Sequence, residues 1–507
     1  MVYYKYSTMR HAYQFKINFT GGIVSPGYLH SVLDSLQQAG LTEVRFGLRQ
    51  QMLIDVSTKE YSRVKNALDT AGVEFEINKD EYPNISSSYP AAEIFIKETW
   101  LGQGVYKDVF DLFDYKPTLK INITDRNQTF TPFFTGNLNW IASEHTHFWW
   151  LVIRFPKTNT LYYWKDLIYT NDMARMSATV EKIIISNASL FYDNVYAEGD
   201  FLYESVTADT EFISKPVSGK LVLPSFKLPY YEGYNDYGTK SWLGVYMRNE
   251  MYDINFLKDV CNICLKTKSG ELYTTPWKSI IIKGIEERHR PMWSYILGKY
   301  RVNVRHASNE LNWQVEDGNN EGLGIKRMVI RQFDKEDVRT FGLCFAVKTQ
   351  PKSGVFGAVL IRRKFNTIRE KSKPLDKYDI LYTADFNPNS KEYILFRGNV
   401  EKEHLATYLI ALCKYYYEKE DANDLLPGSS YTAETAPAAQ KEETWKVYHQ
   451  CRNCLTVYDE AVGEPENSIS AGTLFDDLPG TYCCSLCEAP KTDLVKIEVM
   501  LPALQPI

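Results

Sequence analysis

The chain has 507 residues, 44% of them hydrophobic and 24% charged, with 58 basic and 63 acidic residues giving a net charge of −5. That length predicts several domains of about 100–200 residues each, and the slight acidity excludes the basic footprint of a nucleic-acid binder. No run of 18 apolar residues occurs, so no membrane span and no membrane partner are expected. The 36 Tyr and 25 Phe, with many Val and Ile, lean the chain toward sheet. Met1-Val-Tyr-Tyr-Lys-Tyr6 lacks the apolar stretch of a leader peptide. Nine cysteines, an odd number, do not fit a secreted disulfide framework, and a cytoplasmic location is expected.

In chain order, Tyr13–Phe19 alternates as a strand, and Gly21-Gly22 leads into a helical stripe at Leu29, Val32, Leu33 and Leu36. The strand Glu43–Ile54, a helix near Lys59–Ala71 and the strand Val73–Ile77 complete a ferredoxin-like β-α-β-β-α-β unit over about residues 10–80.

A shift of 228 residues reproduces this unit. Glu271–Ile282 lies over Glu43–Ile54, and Phe256–Cys264 over the first helix, which puts the second unit at about 240–295. Another pair of segments is also similar: Lys120–Ile123 with Asn137–Trp140, and Arg301–Val304 with Glu310–Trp313. The order is A, B, A′, B′, with the B units at about 110–235 and 296–400, and such duplication decides the architecture.

This order, with Gly21-Gly22, Leu48-Arg49-Gln50, Thr275-Pro276-Trp277, Tyr115–Lys120 and Asn139, resembles the sirohaem-containing nitrite and sulfite reductases over roughly residues 10–400. The resemblance implies an α+β platform of ferredoxin-like and sirohaem-domain-like units, with Tyr115–Lys120 bringing lysine to a bound anion. It does not carry the family's chemistry over. The family's Cys-x5-Cys and Cys-x3-Cys positions read Arg305–Trp313, without cysteine, and Phe341–Lys348, with Cys344 alone. A four-iron cluster needs four cysteines, so no iron–sulfur cluster is expected and sirohaem is not expected either. The family's basic pair before Gly-Gly is reduced to Lys16 with Asn18, and its Lys-x-Lys to Thr118 with Lys120.

Several side chains remain as candidates. Arg45, Arg49, Lys120, Lys278 and Arg305, with Lys283, Arg301 and His306, fall on elements that the resemblance turns toward the cofactor cleft. They read either as solvated ion pairs or as a pocket for an anion such as a tetrapyrrole carboxylate, nitrite or a nucleotide. Cys261 and Cys264 form a Cys-x-x-Cys pair but overlay Leu33 and Leu36, so they read as buried apolar volume. Cys413 sits on an apolar helix face in the same way. No phosphate-cradling glycine loop or Ser-His-Asp set stands out.

The segment 421–443, rich in Ala, Ser, Thr and Pro, has no periodic apolar face and reads as a flexible linker. Beyond it, residues 444–507 hold two Cys-x-x-Cys pairs, Cys451/Cys454 and Cys484/Cys487, separated by 29 residues. Two such turns complete a tetrahedral S4 site, which selects zinc or iron. The pairs, with Val457–Asp459, Gly463–Pro465 and Gly472–Pro479 between them, resemble rubredoxin over residues 446–491. The resemblance implies one iron held as Fe(Cys)4 by those four cysteines, wrapped by Tyr458, Phe475 and Tyr482. Leu455 and Glu488 stand where rubredoxins carry glycine, and Ser485 where they carry proline. Cys483 reads as a spare thiol.

The expected molecule is an electron-transfer rubredoxin tethered to a catalytically emptied reductase platform, residues 1–420, that docks a partner oxidoreductase. The scaffold suggests nitrate or nitrite assimilation, and the tether raises the effective concentration of the carrier. The alternatives are a cluster-less sirohaem reductase fed by its own rubredoxin, and a zinc-stabilised interaction module.

Overall fold

The computed structural model describes residues 13–501 apart from 98, 230, 269, 305–309, 352, 365–375, 391, 425–443, 454, 455, 462, 465, 466, 468, 471, 486 and 488. The chain forms two compact units, Met1–Leu425 and Leu426–Ile507.

In the larger unit, β1 (Tyr13–Ile17), β2 (Ile23–Val24), α1 (Pro26–Gln38), β3 (Glu43–Phe46), β4 (Met52–Val56), α2 (Tyr61–Thr70) and β5 (Glu76–Ile77) come first. Strands β3-β4-β1-β5 lie side by side, the order of a ferredoxin-like unit. The expected strand Glu43–Ile54 is a hairpin, because Gln50 turns the chain at φ 64° and Gly47 N–H donates to Gln51 O at 2.8 Å. Helix α1 starts with Pro26 in its first turn, where a missing N–H costs nothing. It buries Leu29, Val32, Leu33 and Leu36, the stripe predicted from spacing.

Next come β6 (Ser86–Ser87), α3 (Gln103–Asp111), β7 (Ile121–Thr124), β8 (Leu138–Ala142), β9 (Phe148–Arg154), β10 (Leu161–Tyr163) and β11 (Asp166–Tyr169). Helices α4 (Met173–Ser186), α5 (Ala188–Phe191) and α6 (Gly199–Asp209) lead to β12 (Ser214–Pro216). The sheet runs β12-β11-β9-β8-β7-β6, with β10 beside β9, and is parallel only through β6, β7 and β8. Its core is aromatic, with Trp140, Trp149 and Tyr106 wholly buried.

The second ferredoxin-like unit contains β13 (Tyr234–Tyr237), β14 (Lys240–Val245), β15 (Tyr252–Asp253), α7 (Ile254–Thr267), β16 (Glu271–Thr274), β17 (Ile280–Ile285) and α8 (Arg290–Lys299). As the 228-residue shift predicts, β16 and β17 form the counterpart hairpin, and Lys278 repeats the left-handed turn of Gln50 at φ 56°. The fourth-strand place beside β14 is filled by β13, which precedes it in the chain. The two units exchange strands: β2 pairs with β16, and β15 pairs with β3. Helices α1 and α7 pack together, and Lys258 Nζ donates across the seam to Asp34 at 2.6 Å and Gln37 at 2.8 Å.

The last part of the larger unit holds β18 (Trp313–Val315), α9 (Asn320–Lys335), β19 (Phe345–Lys348), β20 (Val359–Arg363), β21 (Lys377–Thr383), β22 (Tyr393–Glu401) and α10 (Leu405–Asp424). Its sheet runs β18-β19-β20-β21-β22, parallel through the first three strands and antiparallel after them. This pattern repeats β6-β7-β8-β9-β11, which corrects the pairing drawn from the sequence. Residues 121–124 correspond to β19 and 138–142 to β20, while Trp313 sits on the counterpart of β6. Short Asn-containing strands look alike, so their similarity matched elements from different places in the sheet. Helix α10 also carries regular structure to Asp424, past the expected linker start at 421. The rest of that linker lies outside the described residues.

The smaller unit is a three-stranded antiparallel sheet in the order β24-β23-β25, made of β23 (Thr444–Cys451), β24 (Val457–Tyr458) and β25 (Leu494–Leu501). The larger unit is therefore α+β and the smaller a short antiparallel sheet, as expected. Among the described residues, no helix is long and apolar enough to cross a membrane.

Candidate metal centre and platform cleft

Strand β23 delivers Cys451 to the floor of the small unit, where it is wholly buried. Its N–H donates to Thr456 O at 2.8 Å, and Cys484 N–H donates to Ala489 O at 2.8 Å. The two loops thus repeat one hydrogen-bonded turn closed across six residues. They bring the thiols of Cys451, Cys484 and Cys487 within 4.8 Å of one another, with Cys451 Sγ and Cys487 Sγ 3.6 Å apart. Bonds of about 2.3 Å from a tetrahedral metal put sulfurs about 3.8 Å apart, so these thiols already stand at ligand spacing. Cys454, Leu455 and Glu488 lie outside the described residues.

Aromatic side chains shield the thiols. Tyr458 packs on Phe475 and Tyr482, each at 5.9 Å between centroids, and Tyr458 Oη donates to Thr473 O at 2.9 Å. His449, two residues before Cys451, stacks on Phe475 at 3.8 Å and 9°. Sequence reasoning missed this fourth ring, although its alternation with Cys451 along β23 places both on one sheet face. Ser485, in the proline position, donates to Glu464 Oε1 at 3.0 Å, as does Tyr482 Oη at 3.0 Å. One carboxylate therefore ties the second loop down. Cys483 is exposed and stands apart from the thiol group.

In the platform, a cleft of about 880 Å³ is lined by Arg49, Lys120, Arg154 and Lys348, among others. The Arg49 guanidinium donates to Asn84 O at 2.7 Å, Ile121 O at 2.7 Å and Asn122 Oδ1 at 3.1 Å. Arg154 donates to Gly136 O at 3.1 Å and Thr135 O at 3.0 Å. All these acceptors are neutral, and burial pushes both guanidiniums down to about 10. Burial also lowers Lys120, with Arg49 adding to the effect, although Asp80 stands 3.5 Å away. Lys348 is lowered by burial and by Arg362, and among the described residues it has no ion-pair partner. Desolvated cations held by neutral acceptors make a site for an anion.

Of the expected pocket residues, Arg49 and Lys120 line this cleft, whereas Arg45 and Lys278 do not. Arg45 is ion-paired with Asp55 across the β3–β4 hairpin. Lys278 is 3% exposed and reaches Glu250 at 2.7 Å and Asp317 at 3.4 Å. The repeat explains this. Gln50 and Gly22 are in contact in the first unit, and their counterparts 228 residues on are Lys278 and Glu250. The second unit fills that contact with a buried ion pair. Lys283 donates to Ala92 O at 2.7 Å beneath the Tyr273 ring, and Lys16 is held by Glu76 and Asp80. Arg305 and His306 lie outside the described residues. Asn139 is spent bracing the Gly136 turn and β9. Arg154 and Lys348, which complete the cleft, sit on strands that look purely structural in sequence.

The platform's four thiols are distributed among three separate cores. Cys344 is wholly buried, and its Sγ donates to Phe356 O at 3.6 Å in an apolar core that includes Trp277 and Leu311. Cys261 and Cys264 lie on the face of α7 turned into the core between the ferredoxin-like units, and burial raises both thiols, Cys264 to about 12. Cys413 is buried in the core under α10 and raised to about 12 in the same way.

Paired thiol loops around an aromatic core define the small unit as a cysteine-ligand metal-binding module. The rubredoxin family signature matches residues 448–494. Over 55 residues the chain is 47% identical to Rubredoxin 4 of Rhodococcus sp. (strain Q15), covering 11% of this chain and 90% of that one. Over 50 residues it is 44% identical to Rubredoxin-2 of Pseudomonas aeruginosa, covering 10% of this chain and 91% of that one. Through this module the chain belongs to the rubredoxin family. Much of the chain is also similar in fold to the solved structure of the Mycobacterium tuberculosis NirA protein. That likeness has a TM-score of 0.62 at 12% identity and covers 80% of this chain and 81% of the other.

Proposed function

We propose that the protein is an electron carrier in which Cys451, Cys454, Cys484 and Cys487 hold one iron, while the NirA-like platform docks a partner oxidoreductase. The observation that carries this reading is the thiol group at ligand spacing inside a rubredoxin module. Iron bound there supplies a one-electron couple. The chain keeps those thiols in place through the repeated turns, and Tyr458, Phe475, Tyr482 and His449 limit access of water. Residues 444–507 include nine acidic against four basic side chains, so the module carries a net charge equal to that of the whole chain. An acidic carrier suits a basic docking face on its partner and speeds encounter at low salt. The fold likeness supports a partner in nitrite or nitrate reduction.

A second reading draws support from the cleft. Arg49 and Arg154, desolvated and hydrogen-bonded to neutral acceptors, favour a platform that takes an anion itself and receives electrons from its own module. The lone Cys344 and the apolar packing around it do not fit a four-iron cluster, so no step runs through one. A visible spectrum and metal analysis of the full chain separate the readings. The carrier predicts one iron, red when oxidised and bleached by one electron, with no other chromophore. A tetrapyrrole band favours the second reading, and stoichiometric zinc without iron sinks both.

A further inference from the structure

A separate cavity of about 300 Å³ opens where the end of β14 meets α9. Lys326 and Tyr246 both line it and are almost fully buried. Lys326 Nζ donates to Tyr246 Oη at 2.5 Å. Its nearest carboxylate, Glu250, is 3.9 Å away and already bound by Lys278 at 2.7 Å. The amine is thus desolvated, shares a charge with a better-placed competitor and faces a phenol. Burial brings it down to about 8, against about 10.4 for an ordinary lysine. Arg331 stands on the exposed rim, and among the described residues it makes no ion pair, whereas Arg248 is taken by Glu310 at 2.5 Å.

We propose that Lys326 is a nucleophilic amine that forms an imine in this cavity with a small carbonyl compound bearing a carboxylate. The neutral amine adds to the carbonyl carbon, and the carbonyl π pair moves to oxygen. A proton passes from nitrogen to that oxygen through Tyr246 Oη, giving a carbinolamine. Loss of one water then leaves the C=N bond. Arg331 receives the carboxylate, and the cavity volume restricts the site to small molecules. Desolvated lysines in pockets are activated in this way.

The test is reductive trapping on the full chain. Pyruvate and cyanoborohydride are added near pH 8, and modified lysines are mapped by mass spectrometry of a digest. Lys326 should gain the carboxyethyl adduct at least tenfold faster than Lys335, an exposed lysine on the same helix. Acetone, which has the carbonyl without the carboxylate, should lose most of that preference, and Arg331→Ala should slow trapping by pyruvate about tenfold. Because the wild-type map is itself decisive, no folding defect in a variant clouds it. Labelling of Lys326 no faster than Lys335 overturns the proposal, and equal labelling by acetone overturns the carboxylate requirement.

Discussion

Cys264 and Cys487 show how little a thiol's neighbours in sequence reveal about its chemistry. Both belong to a Cys-x-x-Cys pair, yet one packs beside Gly270 and Trp293 in a core and the other stands 3.6 Å from a partner thiol. Replacing Cys261 and Cys264 together by Val should leave iron content unchanged and alter stability by about 1–3 kcal/mol, through repacking alone. Cys487→Ala should abolish the iron spectrum while leaving the platform's unfolding transition in place, since each unit has its own core. Iron retained in Cys487→Ala would contradict the ligand assignment. Lys283 is a residue where charge and burial conflict directly. Burial lowers it to about 8, so between about 8 and 10.5 the unfolded chain binds a proton that the folded chain does not. Stability relative to Lys283→Met should therefore fall as pH drops through that window and level off below it. A difference independent of pH in urea titrations from 7 to 10.5 would show the amine is not desolvated.

At the scale of elements, the exchange of β2 and β15 makes each ferredoxin-like sheet a joint product of both repeats. Gln50 locks the first exchange: its side chain donates to Thr274 O at 3.0 Å and accepts from Ser86 Oγ and Ser87 N–H at 2.7 Å each. Gln50→Leu keeps the volume but orphans buried partners, so it should cost about 2–4 kcal/mol, measured by chemical denaturation of the full chain. A change under 0.5 kcal/mol, the usual range for surface positions, would mean the bridge is replaceable. The helices α1 and α7 were legible because their apolar stripes recur at one spacing and differ only in Cys for Leu. The four-cysteine spacing was legible for the same reason: local turns fix it. The cleft was not, since Arg49 from the β3–β4 turn, Arg154 from β9 and Lys348 from β19 belong to three different sheets and meet only in the folded platform. Nor was the fate of Lys278, because a basic residue at a strand end looks alike whether it faces solvent or a buried Glu250 on another segment.

At the scale of the molecule, charge is divided unevenly: the acidic module accounts for the net −5, and the cleft gathers desolvated cations. Raising ionic strength from 0.01 to 0.15 M shortens the screening length from about 30 Å to about 8 Å. Electron transfer from the reduced full chain to a basic acceptor such as a cytochrome c should slow at least several-fold over that range, followed by stopped-flow absorbance. A rate insensitive to salt would rule out steering by the module's acidic face.

The strand exchange also sets a timetable for synthesis. The edge of β3 is covered only by Tyr252–Asp253, and Ile23–Val24 finds its partner only when Leu272–Tyr273 exists. At about 5–20 residues per second, the first sheet stays open-edged on the ribosome for roughly 10–40 s after β4 has emerged. During that interval β2 and β3 both offer unpaired backbone, the kind of edge that invites pairing between neighbouring chains. The exposed edge is thus a property of the growing chain alone, on a surface that vanishes once the second repeat is made.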